Sequence, residues 1–63
     1  MDPDATWREY CQAVRESRLH DADELCDALC QWLDRGGYPP QWDSEPDYYL
    51  GYFQRDRRLR GVR

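Results

Sequence analysis

The sequence predicts an all-α fold: a small three-helix domain with an antiparallel helix pair, a loop of prolines and aromatic residues, and a third helix. Three observations predict it. Two stretches, 6–18 and 22–35, repeat apolar residues at the period of a helix with one buried face. Each opens on a capping residue with a glutamate three positions on. No two segments read as paired strands, and a lone strand leaves its backbone donors and acceptors without partners.

Residues 1–5 read as a short frayed lead, and Thr6 as an N-cap whose capping box is completed by Glu9. Trp7, Tyr10, Cys11 and Val14 follow at i, i+3, i+4 and i+7, with Arg8, Glu9, Gln12, Arg15 and Glu16 opposite. Leu19-His20 is the expected joint, and Asp21 the expected cap of the second helix, with Glu24 at its N3 position. The stripe Ala22, Leu25, Cys26, Leu29, Trp32 and Leu33 is continuous. Gly36 supplies the left-handed residue that ends this helix, and Pro39-Pro40 prevents its continuation.

The loop over 36–43 carries two large anchors, Tyr38 and Trp42, so it is expected to pack down on the helix pair. Ser44 reads as a third N-cap, with Pro46 in the first turn and Asp47 at N3. Residues 48–53 have strand propensity by residue type, but the upstream cap and the lack of a second strand favour a helix. On that helix Tyr48, Tyr49, Tyr52, Phe53 and Leu59 share a broad face, with Arg55, Arg57 and Arg58 mostly opposite. Gly51 costs about 1 kcal/mol there and is read as permitting close packing. Residues 60–63 are a candidate disordered tail.

Sixty-three residues make a single domain. A domain of this size buries about 60% of its unfolded surface and holds about 3–5 kcal/mol of core stability. Such a chain has little material for a desolvated catalytic cleft. It contains one histidine, His20, and no glycine-rich loop that opens a helix, so the expectation is no enzyme and no cofactor. No apolar stretch approaches the ~18 residues of a membrane span, and Met-Asp-Pro-Asp does not resemble a secretory signal. The chain has no Lys, Ile or Asn, and all nine basic residues are Arg, a bias that points to a GC-rich genome.

Three cysteines and a histidine raise a zinc reading: Cys11, His20, Cys26 and Cys30 form a Cys3His set. The close paired spacing of structural zinc sites is missing, and Cys11 and Cys26 sit mid-stripe, where a free thiol packs as a small hydrophobe. A Cys26–Cys30 disulfide is disfavoured, because i, i+4 neighbours on a helix have Cβ atoms about 5–6 Å apart. Cys11 with Cys26 is compatible with an antiparallel helix pair. The odd cysteine count favours reduced thiols and a cytoplasmic location.

Charge is the feature that points outward. The net charge of -4 is divided: residues 1–50 hold twelve acids and four Arg, residues 51–63 five Arg and Asp56. Asp23, Glu24, Asp27 and Asp34 fall on the outer side of the second helix, and Asp23 with Asp27 is a repulsive i, i+4 pair. A one-signed stripe suits a basic partner, or the Arg segment of the same chain. Nine aromatic rings compete for one small core, and Tyr38, Trp42, Tyr48 and Tyr49 gather around the Pro-Pro loop as partner-binding candidates.

The functional expectation is a non-catalytic protein-binding module that presents the acidic helix face and an exposed aromatic cluster to another protein with a basic surface. A concrete form is a small inhibitor, encoded by a phage or mobile element, that blocks a basic nucleic-acid-binding site on a host protein. Two alternatives remain open. Arg55, Arg57, Arg58 and Arg60 could contact phosphates, although the sequence pI near 4.7 is far below the ~9 typical of nucleic-acid binders. The surplus of rings could instead be covered by self-association, as a homodimer.

Overall fold

Asp2, not Thr6, opens the first helix. The computed structural model describes residues 2–61, with side chains through Leu59. Helix α1 spans Pro3–Arg15, and the Asp2 carboxylate accepts from the amides of Asp4 at 3.1 Å and Ala5 at 3.3 Å. Pro3 occupies the first turn, where its missing N–H costs nothing, and its ring is buried. Residues 2–5 of the lead expected to fray are therefore cap and first turn. Thr6 lies one turn inside, and its hydroxyl donates back to the Asp2 carbonyl at 3.0 Å. That back-bond is the other use of a threonine hydroxyl in a helix, and the Thr6–Glu9 spacing alone did not distinguish the two. Asp2→Ala should cost about 1 kcal/mol and Thr6→Ala less than half as much, compared as urea midpoints. Equal losses would contradict the Asp2 cap.

The α1–α2 joint is also displaced. Ser17 adopts φ 58°, and the Ser17 and Arg18 amides donate to the carbonyls of Val14 (3.1 Å) and Ala13 (2.8 Å). This is a Schellman closure with serine where glycine is usual. It reverses the chain in three residues, so α2 starts at once and spans Leu19–Asp34. The expected joint at Leu19-His20 is thus the first turn of α2. Asp21 is not its cap: it lies in that first turn and accepts from Arg18 Nη1 at 2.9 Å. At the other end Gly36, at φ 88°, closes α2 as expected, with the Gly36 and Gly37 amides donating to the carbonyls of Leu33 and Trp32, both at 3.0 Å.

The loop after α2 folds back. Gly37 lies flat on the Trp32 indole, where a Cβ would overlap the ring. The indole N–H donates to the Tyr38 carbonyl at 2.8 Å. The Gln41 amide donates to the Asp4 carboxylate at 2.8 Å, which ties the loop to the start of α1. A 3-10 turn, Trp42–Ser44, follows. Ser44 is therefore inside this turn rather than capping a helix. Glu45, which precedes Pro46, is extended at φ -131°, ψ 162°, as the proline ring requires of its predecessor. Helix α3 consequently begins later, at Asp47, and runs to Gly61. The rest of the candidate tail over 60–63 lies outside the described residues.

The described residues contain no strand, and 48–53 are helical. The fold is the expected three-helix, all-α domain. The buried residues that α1 and α2 contribute include small ones, Cys11, Ala13, Ala22, Cys26 and Cys30. Rings fill the remaining space. Trp7 stands edge-on to Trp42 and Phe53 at centroid distances of 5.0 and 5.6 Å and stacks on Tyr10 at 5.6 Å. From α3, Tyr49 and Phe53 complete the core. No helix among the described residues is long and apolar enough to cross a membrane.

Candidate binding surface

The exterior of α2 holds its carboxylates in the open. Asp23, Glu24, Asp27 and Asp34 are all exposed. Glu24 lies 3.3 Å from His20, and Asp27 accepts from Gln31 at 3.0 Å. Asp34 accepts from Arg57 Nη2 at 2.9 Å. The Arg segment of the same chain thus reaches the acidic stripe at one end. That pair is solvent-exposed, and such pairs are worth about 0–1 kcal/mol.

The aromatic cluster expected around the loop does not stay together. Tyr49 is only 2% exposed. Its hydroxyl accepts from Arg15 Nε at 3.2 Å, and its ring lies 5.8 Å beneath the Arg15 guanidinium. Trp42 is half-buried against Trp7 and Phe53, because the 3-10 turn swings it over the core. Tyr49 is therefore not available as a partner-binding anchor, and Trp42 presents only part of its ring. Tyr38 and Tyr48 remain exposed, Tyr38 edge-on to Trp32 and Tyr48 beside Tyr52. The broad α3 face expected from sequence is in fact two faces: Tyr49 and Phe53 point inward, while Tyr48, Tyr52 and Leu59 point outward. Tyr52 and Leu19, left out of the sequence-based site, are exposed. Leu19 carried a signal, since it belongs to neither helical stripe.

Between the α1–α2 turn and α3 is an open cleft of about 480 Å³. Val14, Leu19 and Tyr52 supply apolar walls, with Asp23 and Arg55 also lining it. The Tyr10 hydroxyl, which also lines the cleft, donates to Asp56 Oδ2 at 3.1 Å. Burial, and then the neighbouring Asp56 carboxylate, push the Tyr10 phenol well above its ordinary value, so it stays a proton donor. The cleft can take an apolar side chain with a polar or charged neighbour at the rim.

The arginines of α3 do not form one surface. Arg57 turns toward α2, Arg55 lines the cleft and Arg58 is exposed. Arg60 belongs to α3, but its side chain lies outside the described residues. The Cys3His set is likewise dispersed. Cys11, Cys26 and Cys30 are buried thiols, while the His20 side chain is 86% exposed beside Glu24. Among the described residues no three His, Cys, Asp or Glu side chains are grouped so that they could hold a metal ion. No protein-family model matches this chain, and neither a curated protein nor a solved structure matches it.

Proposed function

We propose that this protein is a non-catalytic protein-binding module whose contact surface is the acidic exterior of α2 together with the adjoining cleft. The observation that carries the reading is the position of Leu19, 72% exposed at the start of α2 on the wall of a cleft that Asp23 also lines. An exposed leucine next to a row of carboxylates suits a partner that offers an apolar side chain surrounded by basic groups. Burying Leu19 stabilises the contact, and the carboxylates set orientation and association rate. This moves the apolar anchor from the Pro-Pro loop to the α1–α2 turn.

A basic nucleic-acid-binding site on another protein has the required charge, which supports an inhibitor as the concrete form. The three buried thiols support a reducing, cytoplasmic setting. The test is differential capture from nuclease-treated host extract with wild type, Leu19→Glu and Asp23→Arg/Asp27→Arg. All three positions are exposed, so circular dichroism should be unchanged. A partner held by wild type should be lost by both variants and released by salt. Identical capture by all three proteins would refute the assignment, and capture that disappears with nuclease would transfer the activity to nucleic acid.

A further inference from the structure

Helix α3 is apolar on two sides, and the core uses only one of them. Tyr49 and Phe53 are 2% exposed, whereas Tyr48, Tyr52 and Leu59 are 59, 49 and 66% exposed. Tyr48, Tyr52, Arg55 and Leu59 succeed one another at intervals of four, three and four residues, the spacing of a helix–helix seam. Gly51 lies beside this seam in mid-helix. A Cβ at Gly51 would meet nothing within 4 Å, so the packing of this chain does not require glycine there. It nevertheless lowers helix stability by about 1 kcal/mol relative to alanine. Its missing side chain leaves a hollow of about 350 Å³ lined by Tyr48, Gly51, Tyr52 and Arg55.

We infer that the outer face of α3 pairs with the same face of a second copy of this chain, antiparallel, with the two helices crossing at Gly51. Charge selects the occupant. The approach to α3 and its first turn carry Asp43, Glu45 and Asp47, and its later turns carry Arg55, Arg57 and Arg58 with one acid, Asp56, which accepts from the Tyr10 hydroxyl. Asp47 and Arg55 are each four residues from Gly51, on opposite sides. A two-fold axis through the crossing therefore sets Arg55 of each copy level with Asp47 of the other. Among the described residues, the ion pairs within the chain use neither Arg55 nor Asp47. A parallel pair would oppose Arg55 to Arg55 and Asp47 to Asp47, which like-charge repulsion disfavours. The antiparallel arrangement is self-complementary, as a closed two-fold dimer requires. The glycine hollow lets the backbones approach, and Tyr48 and Tyr52 of each copy cover it from the other side. This goes beyond the partner-binding reading: the two surfaces share Tyr52 and Arg55, which line both the cleft and the seam, whereas the carboxylates of the acidic row lie on α2, outside the seam.

Sedimentation equilibrium of the full chain, over about 5–500 µM, tests the inference. Wild type should pass from monomer to dimer within that range and shift toward monomer at high salt. Gly51→Leu should weaken the dimer by about tenfold or more while leaving helicity intact, because the position is open. Arg55→Asp alone and Asp47→Arg alone should each weaken it, and the double exchange should recover most of the loss. A strict monomer at the highest concentration would overturn the inference. So would a dimer indifferent to Gly51→Leu and to both charge changes, since its interface would lie elsewhere. Asp23→Arg/Asp27→Arg should leave sedimentation unchanged, so failure of the dimer and failure of the α2 surface are read separately.

Discussion

Trp7→Ala should leave the chain largely unfolded at room temperature. Trp7 is fully buried and touches rings from three parts of the chain: Tyr10 on α1, Trp42 in the 3-10 turn and Phe53 on α3. Truncating a buried tryptophan to alanine costs about 3–5 kcal/mol. A core of this size supplies about the same amount, so no margin is left. Trp42 and Phe53 also pack on each other at 5.4 Å, so the cavity cannot be closed by one side chain moving. Trp7→Phe separates size from polarity. The buried Trp7 Nε1 has no hydrogen-bond partner among the described residues, and an unsatisfied buried donor costs about 1–3 kcal/mol. Removing it offsets part of the lost ring volume, so Trp7→Phe should lose less than half of what Trp7→Ala loses. Far-UV circular dichroism and urea titration of the two variants check this. Native helicity in Trp7→Ala would show that the ring cluster does not hold α3 in place.

Stability should fall as pH rises above about 9. Burial, and then the nearby Glu45 carboxylate, raise the Cys11 thiol from its ordinary value of 9.0 to about 12, with Arg15 partly opposing the shift. Tyr10 is raised in the same direction by burial and by Asp56. Both groups are neutral when protonated, and both hold the proton more tightly in the folded state. Below pH 9 the thiol is protonated folded and unfolded, and stability is unaffected. Between pH 9 and 12 the unfolded chain releases the thiol proton while the folded chain keeps it. Each such group removes up to about 1.4 kcal/mol per pH unit across its window. The Tyr10 contribution begins near its ordinary value of 10.0. The neighbouring Tyr48 and Tyr49 phenols shift in opposite directions, so their contributions oppose each other. Urea midpoints at pH of about 7, 9 and 10.5 give the curve. Cys11→Ala should lower stability at pH 7 but delay the alkaline decline by about one unit. A wild-type midpoint constant to about pH 10.5 would show that the thiol is not desolvated as the packing implies.

The parts of the fold visible in the sequence are those fixed by chemistry within a few residues. The α2 stripe and the Gly36 closure follow from helix period and from the one residue type that accepts positive φ at little cost. The burial of Cys11 and Cys26 follows from their place mid-stripe. The starts of all three helices were harder, because a residue that can cap does not by itself fix where the first turn begins: α2 opens at Arg18 with no side-chain cap. Asp2 prevailed over Thr6 because Pro3 and Asp4 complete a first turn behind it. Ser44 failed as a cap because Pro46 forces Glu45 into an extended conformation.

The proposed binding surface was half legible. Asp23, Glu24, Asp27 and Asp34 are exposed where the helical period of α2 places them. The aromatic half was not, because residue type says that a ring wants to be buried and does not say which ring succeeds. Tyr48 and Tyr49 are neighbours of identical chemistry, one 59% and one 2% exposed. Only the rotation of α3 against the other two helices separates them.

By itself, then, the sequence determined an all-α chain with an acidic outer row on α2 and a divided charge, since periodicity, turn chemistry and charge count depend on local order along the chain. The tertiary structure alone decided which of the nine rings fill the core and which remain outside, and that Leu19 stays exposed on the wall of a cleft that Asp23 also lines. Those outcomes depend on the phase at which one helix meets another, and that phase is set by packing among residues distant in sequence.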